Sequence, residues 1–205
     1  MRMKKFIFIA VLLAVCTGVG AQENLYEIKS GKVTMQMDMM GRKITHELYF
    51  DDYGQKQATV MDMRGKTMRS ITVEGENIMI DDKEMTAVRM PSFDMGGEKI
   101  NFNDKSEKNI RKNKIKVIGT EVVAGKECTK YTAAIFLMGQ VVKQTAWIYK
   151  GVTMKTSVKT DFGEMGMTAV SIEEDIEIPA SMFTIPEGVT VQEMDRSRMP
   201  QFPNE

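Results

Sequence analysis

The chain contains very few of the residues on which enzyme and metal sites are usually built. It has two cysteines, one histidine and one tryptophan in 205 residues. No His-x-x-x-His pair, Cys-x-x-Cys pair or glycine-rich phosphate loop is present. The single histidine, His46, belongs to no local motif of a Ser-His-Asp or Cys-His catalytic site. We therefore predict that the protein is not an enzyme, has no catalytic residues and needs no cofactor.

The amino terminus indicates export. Three basic residues within residues 1–5 precede an apolar run over residues 6–16, and small residues follow as far as Ala21. This order is typical of a secretory signal peptide, and the run is short for a membrane span. We predict a signal peptide over residues 1–21 and a periplasmic location. A lipid anchor on Cys16 is the alternative, and it places the protein at the periphery of the outer membrane at most.

An excess of positive charge is also lacking. Cleavage after Ala21 removes three of the 28 basic residues and none of the 28 acidic ones, which leaves a formal charge of −3. A protein that holds nucleic acid by bulk basicity is excluded by this balance. No apolar run long enough to span a membrane follows the signal peptide. We therefore predict one exported domain over residues 22–193, followed by a flexible tail over residues 194–205.

One cysteine, Cys128, remains after processing, so the mature chain cannot form an internal disulfide. No histidine or second cysteine lies near it in the sequence, as a thiol enzyme requires. We predict that Cys128 is a small buried hydrophobic residue.

Alternating apolar and polar residues, interrupted by turn residues, recur along most of the chain. This pattern is typical of antiparallel strands with one covered face. It predicts ten or eleven strands, at residues 32–39, 44–50, 57–63, 67–73, 78–80, 114–118, 128–138, 141–149, 152–160 and 165–172. One sheet of this size tends to curl. We predict a mainly β protein with a curved antiparallel half-barrel, and a two-sheet sandwich is the competing arrangement.

Helix signals are few. Asp104-Lys-Ser-Glu107 resembles a capping box and predicts a short, charged and exposed helix from about Lys105 to Lys112. A single helical turn is expected over residues 179–183. The fold therefore has one or two short helices beside its sheet.

Methionine is the residue in excess, with 20 in the chain, and many occur as Met-x-Met. Residues two apart in a strand project from the same face, so these repeats indicate sheet faces covered by thioethers. Core packing, a deformable pocket for an apolar ligand and a Cu(I) site all suit such a face. For the Cu(I) site, His46 adds an imidazole ligand if it faces Met35 or Met37 across the first hairpin. We predict ligand-binding residues on this face at Val33, Met35, Met37, Met39, Met61, Met63, Trp147, Met165 and Met167.

Residues 114–190 resemble a known group of proteins. The matching segments are the hairpin over residues 119–131, the strand pair beginning Ala-Trp-Ile-Tyr at residues 146–149, and the Pro…Phe…Pro-x-Gly close at residues 179–188. They are similar to an uncharacterised periplasmic domain family common in Bacteroidetes, grouped with the outer-membrane lipoprotein carriers. That resemblance implies a half-barrel with an apolar concavity, in which the carriers shield lipoprotein acyl chains. It implies no catalytic residue.

Three hypotheses of function follow. The first is a non-enzymatic periplasmic protein that binds a lipid-like or other apolar ligand, including lipoprotein acyl chains, in a Met-lined concave face. The second is an envelope interaction or stress-response module with no small ligand, which predicts an exposed apolar patch or strand edge. The third is a Cu(I)-binding protein.

Overall fold

A computed structural model describes residues 24–39, 42–63, 65–73, 76–90, 100–137, 140–160 and 163–193. The predicted signal peptide, the alternative anchor at Cys16 and the predicted tail lie outside the described residues. No helix among those described is long and apolar enough to cross a membrane.

The described chain is built mainly of β-strands. They are β1 (Gly31–Met39), β2 (Arg42–Asp51), β3 (Lys56–Met63), β4 (Lys66–Val73), β5 (Glu76–Asp81), β6 (Thr86–Met90), β7 (Lys116–Val123), β8 (Lys126–Leu137), β9 (Gln140–Tyr149), β10 (Val152–Thr160), β11 (Gly163–Glu174) and β12 (Val191–Glu193). One α-helix, α1 (Glu107–Lys112), precedes β7, and 3-10 turns occupy Asp52–Gly54 and Ala180–Phe183.

All twelve strands belong to one open sheet in the order β12-β6-β5-β4-β3-β2-β1-β11-β10-β9-β8-β7. The predicted curved antiparallel half-barrel with few helices is confirmed, and the competing sandwich is not formed. One neighbouring pair is parallel, β12 with β6. The sequence prediction missed both of these strands. The Thr-Ala-Val-Arg-Met run of β6 does not alternate clearly, and β12 has only three residues.

Two-residue turns set the register of two hairpins in the carboxyl-terminal half of the sheet. Ala124 and Gly125 join β7 to β8, and Lys150 and Gly151 join β9 to β10; all four have positive φ angles between 47° and 83°. Two consecutive residues with positive φ are the signature of a type I′ turn, whose twist matches that of the flanking strands. The strands therefore pair directly on either side of each turn.

Helix α1 begins two residues later than predicted. Ser106 is its N-cap, and its hydroxyl oxygen accepts a hydrogen bond from the Asn109 amide at 3.2 Å. Asp104 instead accepts a bond from the Ser106 amide at 2.8 Å and so orders the residues before the helix. No residue of α1 is buried, as its charged sequence predicted.

The hairpin turns divide the sheet into two ends. The turns between β2 and β3, β7 and β8, and β9 and β10 lie at one end, which we call the core end, because the largest buried cluster surrounds them. That cluster contains Ile28, Val33, Phe50, Cys128 and Val152, among others. Cys128 is fully buried, as predicted. The carboxyl-terminal ends of β1, β3, β8 and β10 lie at the opposite end, which we call the methionine end.

A second cluster covers the other face of the sheet at β3 to β6. Tyr49 pairs with Ala58, and strand alternation places both on the face opposite Leu48 and Phe50. The carboxyl-terminal segment packs here through Met182, Phe183, Ile185, Val189 and Val191. This segment therefore covers one face of the sheet at β3 to β6. Residues 26–28 cover the opposite face near Phe50.

Arg69 anchors this carboxyl-terminal segment. Its side chain is 7% exposed and forms a bidentate pair with Asp82, at 2.7 and 2.9 Å. One Nη of the same guanidinium donates to the carbonyl oxygens of Ser181, Met182 and Thr184. A planar, permanently charged fork suits such convergent acceptors, which lysine cannot match.

We predict that Arg69→Ala lowers the free energy of unfolding by about 3 kcal/mol, because three main-chain carbonyls lose a buried charged donor. Urea unfolding followed by circular dichroism measures the change. The control is Arg111→Ala, since Arg111 is 80% exposed in an i,i+4 pair with Glu107 and its loss costs only about 0.5 kcal/mol or less. Equal effects of the two substitutions would contradict the anchoring role.

Candidate functional site

The register of four strands places predicted site residues in one row. His46 of β2 pairs directly with Met35 of β1 and with Met61 of β3, and Met61 pairs in turn with Met68 of β4. On the other side, Met35 pairs with Ala169 of β11. Directly paired residues project from the same face of a sheet. We call the face that carries Met35, Met37, His46, Met61 and Met68 the methionine face.

Met167 and Met37 continue this face towards the methionine end. Met37 pairs with Ile44 on one side and with Met167 on the other. Met165 lies two residues beyond Met167 on β11. Met39 and Met63 lie in β1 and β3, and their side chains fall outside the described residues.

Burial decreases along the methionine face from the core end to the methionine end. In β1, Val33 is fully buried and Met35 is 4% exposed, whereas Met37 is half-buried. In β11, Ala169 is buried, Met167 is half-buried and Met165 is 42% exposed. Val33 and Met35 thus belong to the packed core, and the outer methionines present thioethers at the protein surface.

Trp147 belongs to the same buried cluster as Val33 and Met35, and Met167 packs against that cluster. The Trp147 side chain is 5% exposed. The ammonium groups of Lys130 and Lys155 lie 4.6 and 4.4 Å from the Trp147 ring centroid. Both lysines also bond to Glu121 at 3.2 Å, and the indole N–H donates to Glu121 at 2.8 Å. Four predicted site residues, Val33, Met35, Trp147 and Met167, therefore meet in or against one cluster, and the first three are part of the packed core.

The same arrangement recurs two residues along β9. Lys126 and Lys150 lie 5.4 and 5.2 Å from the Tyr149 ring centroid, and both pair with Glu174, at 2.5 and 3.1 Å. The Tyr149 hydroxyl also donates to Glu174 at 3.2 Å. Each glutamate bonds to two lysines held over an aromatic ring, so we interpret both clusters as structural.

The structure also contains a groove that the sequence prediction missed. It has a volume of about 600 Å³ and lies between the α1–β7 segment and strands β8 and β9, at the methionine end. Its apolar lining includes Ile110, Ile115, Ala133, Val141 and Val142. These residues come from three separate segments, so no local pattern in the sequence could bring them together.

Lysines surround this groove. Lys114, Lys116 and Lys143 all line it. Within the described residues, none of their ammonium groups has a hydrogen bond or an ion pair, in contrast to Lys126, Lys130, Lys150 and Lys155 in the same half of the sheet. The groove therefore combines an apolar lining with uncompensated positive charge.

His46 has the environment of a neutral imidazole. It is half-buried, and this burial lowers its pKa below the usual value, since desolvation disfavours the charged form. In the described part of the chain, no group of three or more His, Cys, Asp or Glu residues is arranged to hold a metal ion.

No protein-family model matches the chain, and no curated protein matches it. Among solved structures, an uncharacterized conserved protein from Thermus thermophilus matches with a TM-score of 0.56 and 10% identity, over 82% of this chain and 92% of that one. A Pseudomonas aeruginosa MucA/MucB complex matches with a TM-score of 0.49 and 13% identity, over 76% of this chain. A putative outer membrane lipoprotein-sorting protein domain from Vibrio parahaemolyticus matches with a TM-score of 0.37 and 13% identity, over 76% of this chain and 89% of that one.

The Thermus thermophilus match shows a shared fold. The chain spans 55% of the chain matched in the MucA/MucB complex, so it corresponds to only part of that protein. The family resemblance of residues 114–190 stays a prediction, as does the assignment of the ligand-binding residues.

The Trp147 cluster predicts a pH dependence. Bonds from Trp147, Lys155 and Lys130 lower the pKa of Glu121 from 4.5 to about 2. A carboxylate with a depressed pKa in the folded state stabilises the protein above the unfolded pKa and loses this contribution as the pH falls towards 2. We expect Glu121→Gln to lower the melting temperature at pH 7, and the difference from wild type to shrink between about pH 4.5 and pH 2.

Differential scanning calorimetry across this pH range measures the difference, and Trp147 fluorescence reports the local change. Glu127→Gln is the control, because Glu127 is exposed and neighbours the same strands without joining the cluster. A difference between Glu121→Gln and wild type that stays constant down to pH 2 would rule out this linkage.

Proposed function

We propose that this protein is a non-enzymatic periplasmic protein that binds a lipid-like or other apolar ligand at the methionine end of its sheet. The observation that carries the proposal is the decrease in burial along β1 and β11. Flexible thioethers at Met37, Met165 and Met167 are accessible there, next to a rigid core at the other end. Such side chains repack around varied apolar ligands.

The lysine-lined groove supports an amphiphilic ligand. It opens at the same end of the sheet, and its apolar lining suits an acyl chain, each buried methylene contributing about 0.8 kcal/mol. The uncompensated ammonium groups of Lys114, Lys116 and Lys143 suit an anionic head group. We therefore expect a fatty-acid or phospholipid-type ligand, and the acyl chains of lipoproteins belong to the same chemical class.

Binding of a fluorescent C18 fatty acid to delipidated protein tests this function. We expect Met165→Glu to weaken binding about tenfold, or about 1.4 kcal/mol, because it places a carboxylate among the accessible thioethers that we propose contact the ligand. Lys143→Glu should weaken binding of the fatty acid but not of the corresponding fatty alcohol, which lacks the carboxylate.

The matched control is Met85→Glu. Met85 is 50% exposed, and five strands separate β6, which follows it, from β11. This substitution should leave the affinity within twofold of wild type. No saturable binding, or an equal loss from Met165→Glu and Met85→Glu, would overturn the proposal.

A second candidate function has its own observation. Strand β7 is one edge of the sheet, and Val117, Ile118 and Val122 are 64%, 50% and 66% exposed on it. An exposed apolar edge strand is a template for strand addition by another chain. This arrangement favours an envelope interaction module that takes a partner strand along β7.

Amide hydrogen exchange separates this candidate from ligand binding. If a partner adds a strand, periplasmic extract should protect the amides of β7, and Ile118→Lys should abolish the protection. Val170→Lys is the control, since Val170 is 48% exposed but lies on the central strand β11. Unchanged exchange of the β7 amides in the extract would contradict the interaction function.

A further inference from the structure

We propose that Met35, His46 and Met61 form a Cu(I)-binding site on the methionine face. These residues lie on three adjacent strands, and the imidazole-bearing residue is the middle one, paired directly with a methionine on each side. Directly opposed residues have Cβ atoms about 5 Å apart. This spacing puts a thioether from each neighbouring strand within reach of the His46 ring.

His46 is available as a ligand. Within the described residues its ring has no hydrogen bond and no ion pair, although it is half-buried. A buried polar group usually has a partner.

The donor set selects the metal. Thioether sulfur is a soft ligand and imidazole suits copper, so two methionines and one histidine match Cu(I). Calcium and magnesium need oxygen ligands, and structural zinc sites use thiolates with imidazoles. No carboxylate or thiol lies in the row that contains Met35, His46, Met61 and Met68.

Further thioethers surround the three ligands. Met68 follows Met61 in the same row, and Met37 lies diagonally across from His46. Diagonal neighbours in a sheet are about 7–8 Å apart, within reach of a long side chain. Either methionine supplies a fourth ligand, through its sulfur, if the ion becomes four-coordinate.

This site lies deeper than the proposed lipid contact. Met35 is 4% exposed, whereas the ligand experiment depends on Met165 and Lys143 near the surface. The two proposals therefore fail separately. A protein that binds a fatty acid and no Cu(I) disproves only the metal site, and the reverse result disproves only the lipid site.

Anaerobic titration of the mature protein with Cu(I), against the coloured chelator bicinchoninate, tests the proposal. We expect each protein molecule to retain one Cu(I) ion in competition with the chelator. Ag(I), a soft ion without redox chemistry, should shift the methyl NMR signals of Met35 and Met61 and the ring signals of His46, with the Met79 methyl unchanged.

The variants are Met35→Leu, Met61→Leu and His46→Phe, which keep the volume of each side chain and so limit loss of stability. Each should weaken Cu(I) binding at least tenfold. Met79→Leu is the matched control, because Met79 is half-buried and pairs with Ser70 and Val88 without a histidine beside it. It should change the affinity less than twofold.

Complete removal of Cu(I) by the chelator would overturn the proposal. An equal loss of Cu(I) binding from Met79→Leu and Met61→Leu would also overturn it, because Cu(I) would then bind weakly to scattered thioethers. Circular dichroism of each variant confirms that it is folded, and a variant that unfolds is replaced by Met35→Ile or Met61→Ile.

Discussion

The cross-strand register of β1, β2 and β3 is the constraint on which the rest of this structure depends. Side chains alternate along a strand, so a slip of one residue would move every methionine of β1 to the other face. The observed register joins Met35, His46 and Met61 in one row and directs Val33 and Phe50 into the packed core. Core packing is therefore the feature that fixes the register, and the methionine face follows from it.

The sequence predicted what depends on local periodicity. Alternation in β1 predicted a shared face for Val33, Met35 and Met37, and the lack of a nearby histidine or second cysteine predicted that Cys128 is a small buried residue. It could not predict β12, because three residues carry no period and their partner, β6, lies about a hundred residues earlier. The sequence could not predict the groove either, since its lining residues Ile110, Ala133 and Val141 meet only after β7, β8 and β9 have paired.

Trp147 shows a different limit of the same reasoning. Trp147 was predicted to be a ligand-binding residue beside the methionines. The structure places Lys130 and Lys155 beside its ring and Glu121 on its indole nitrogen. Pairing of an aromatic residue with charges from three other strands is a property of tertiary structure, and nothing around residue 147 in the sequence encodes it.

The two edges of the sheet differ in a way that affects self-association. At one edge, β12 presents only three residues, and Arg89 and Glu193 form an ion pair across its contact with β6. Short and charged edge strands resist pairing with further chains. At the other edge, β7 offers eight residues. Growth of a fibril requires two receptive edges on every molecule, and among the described strands only β7 is a long edge, so pairing through it would give a closed pair of molecules.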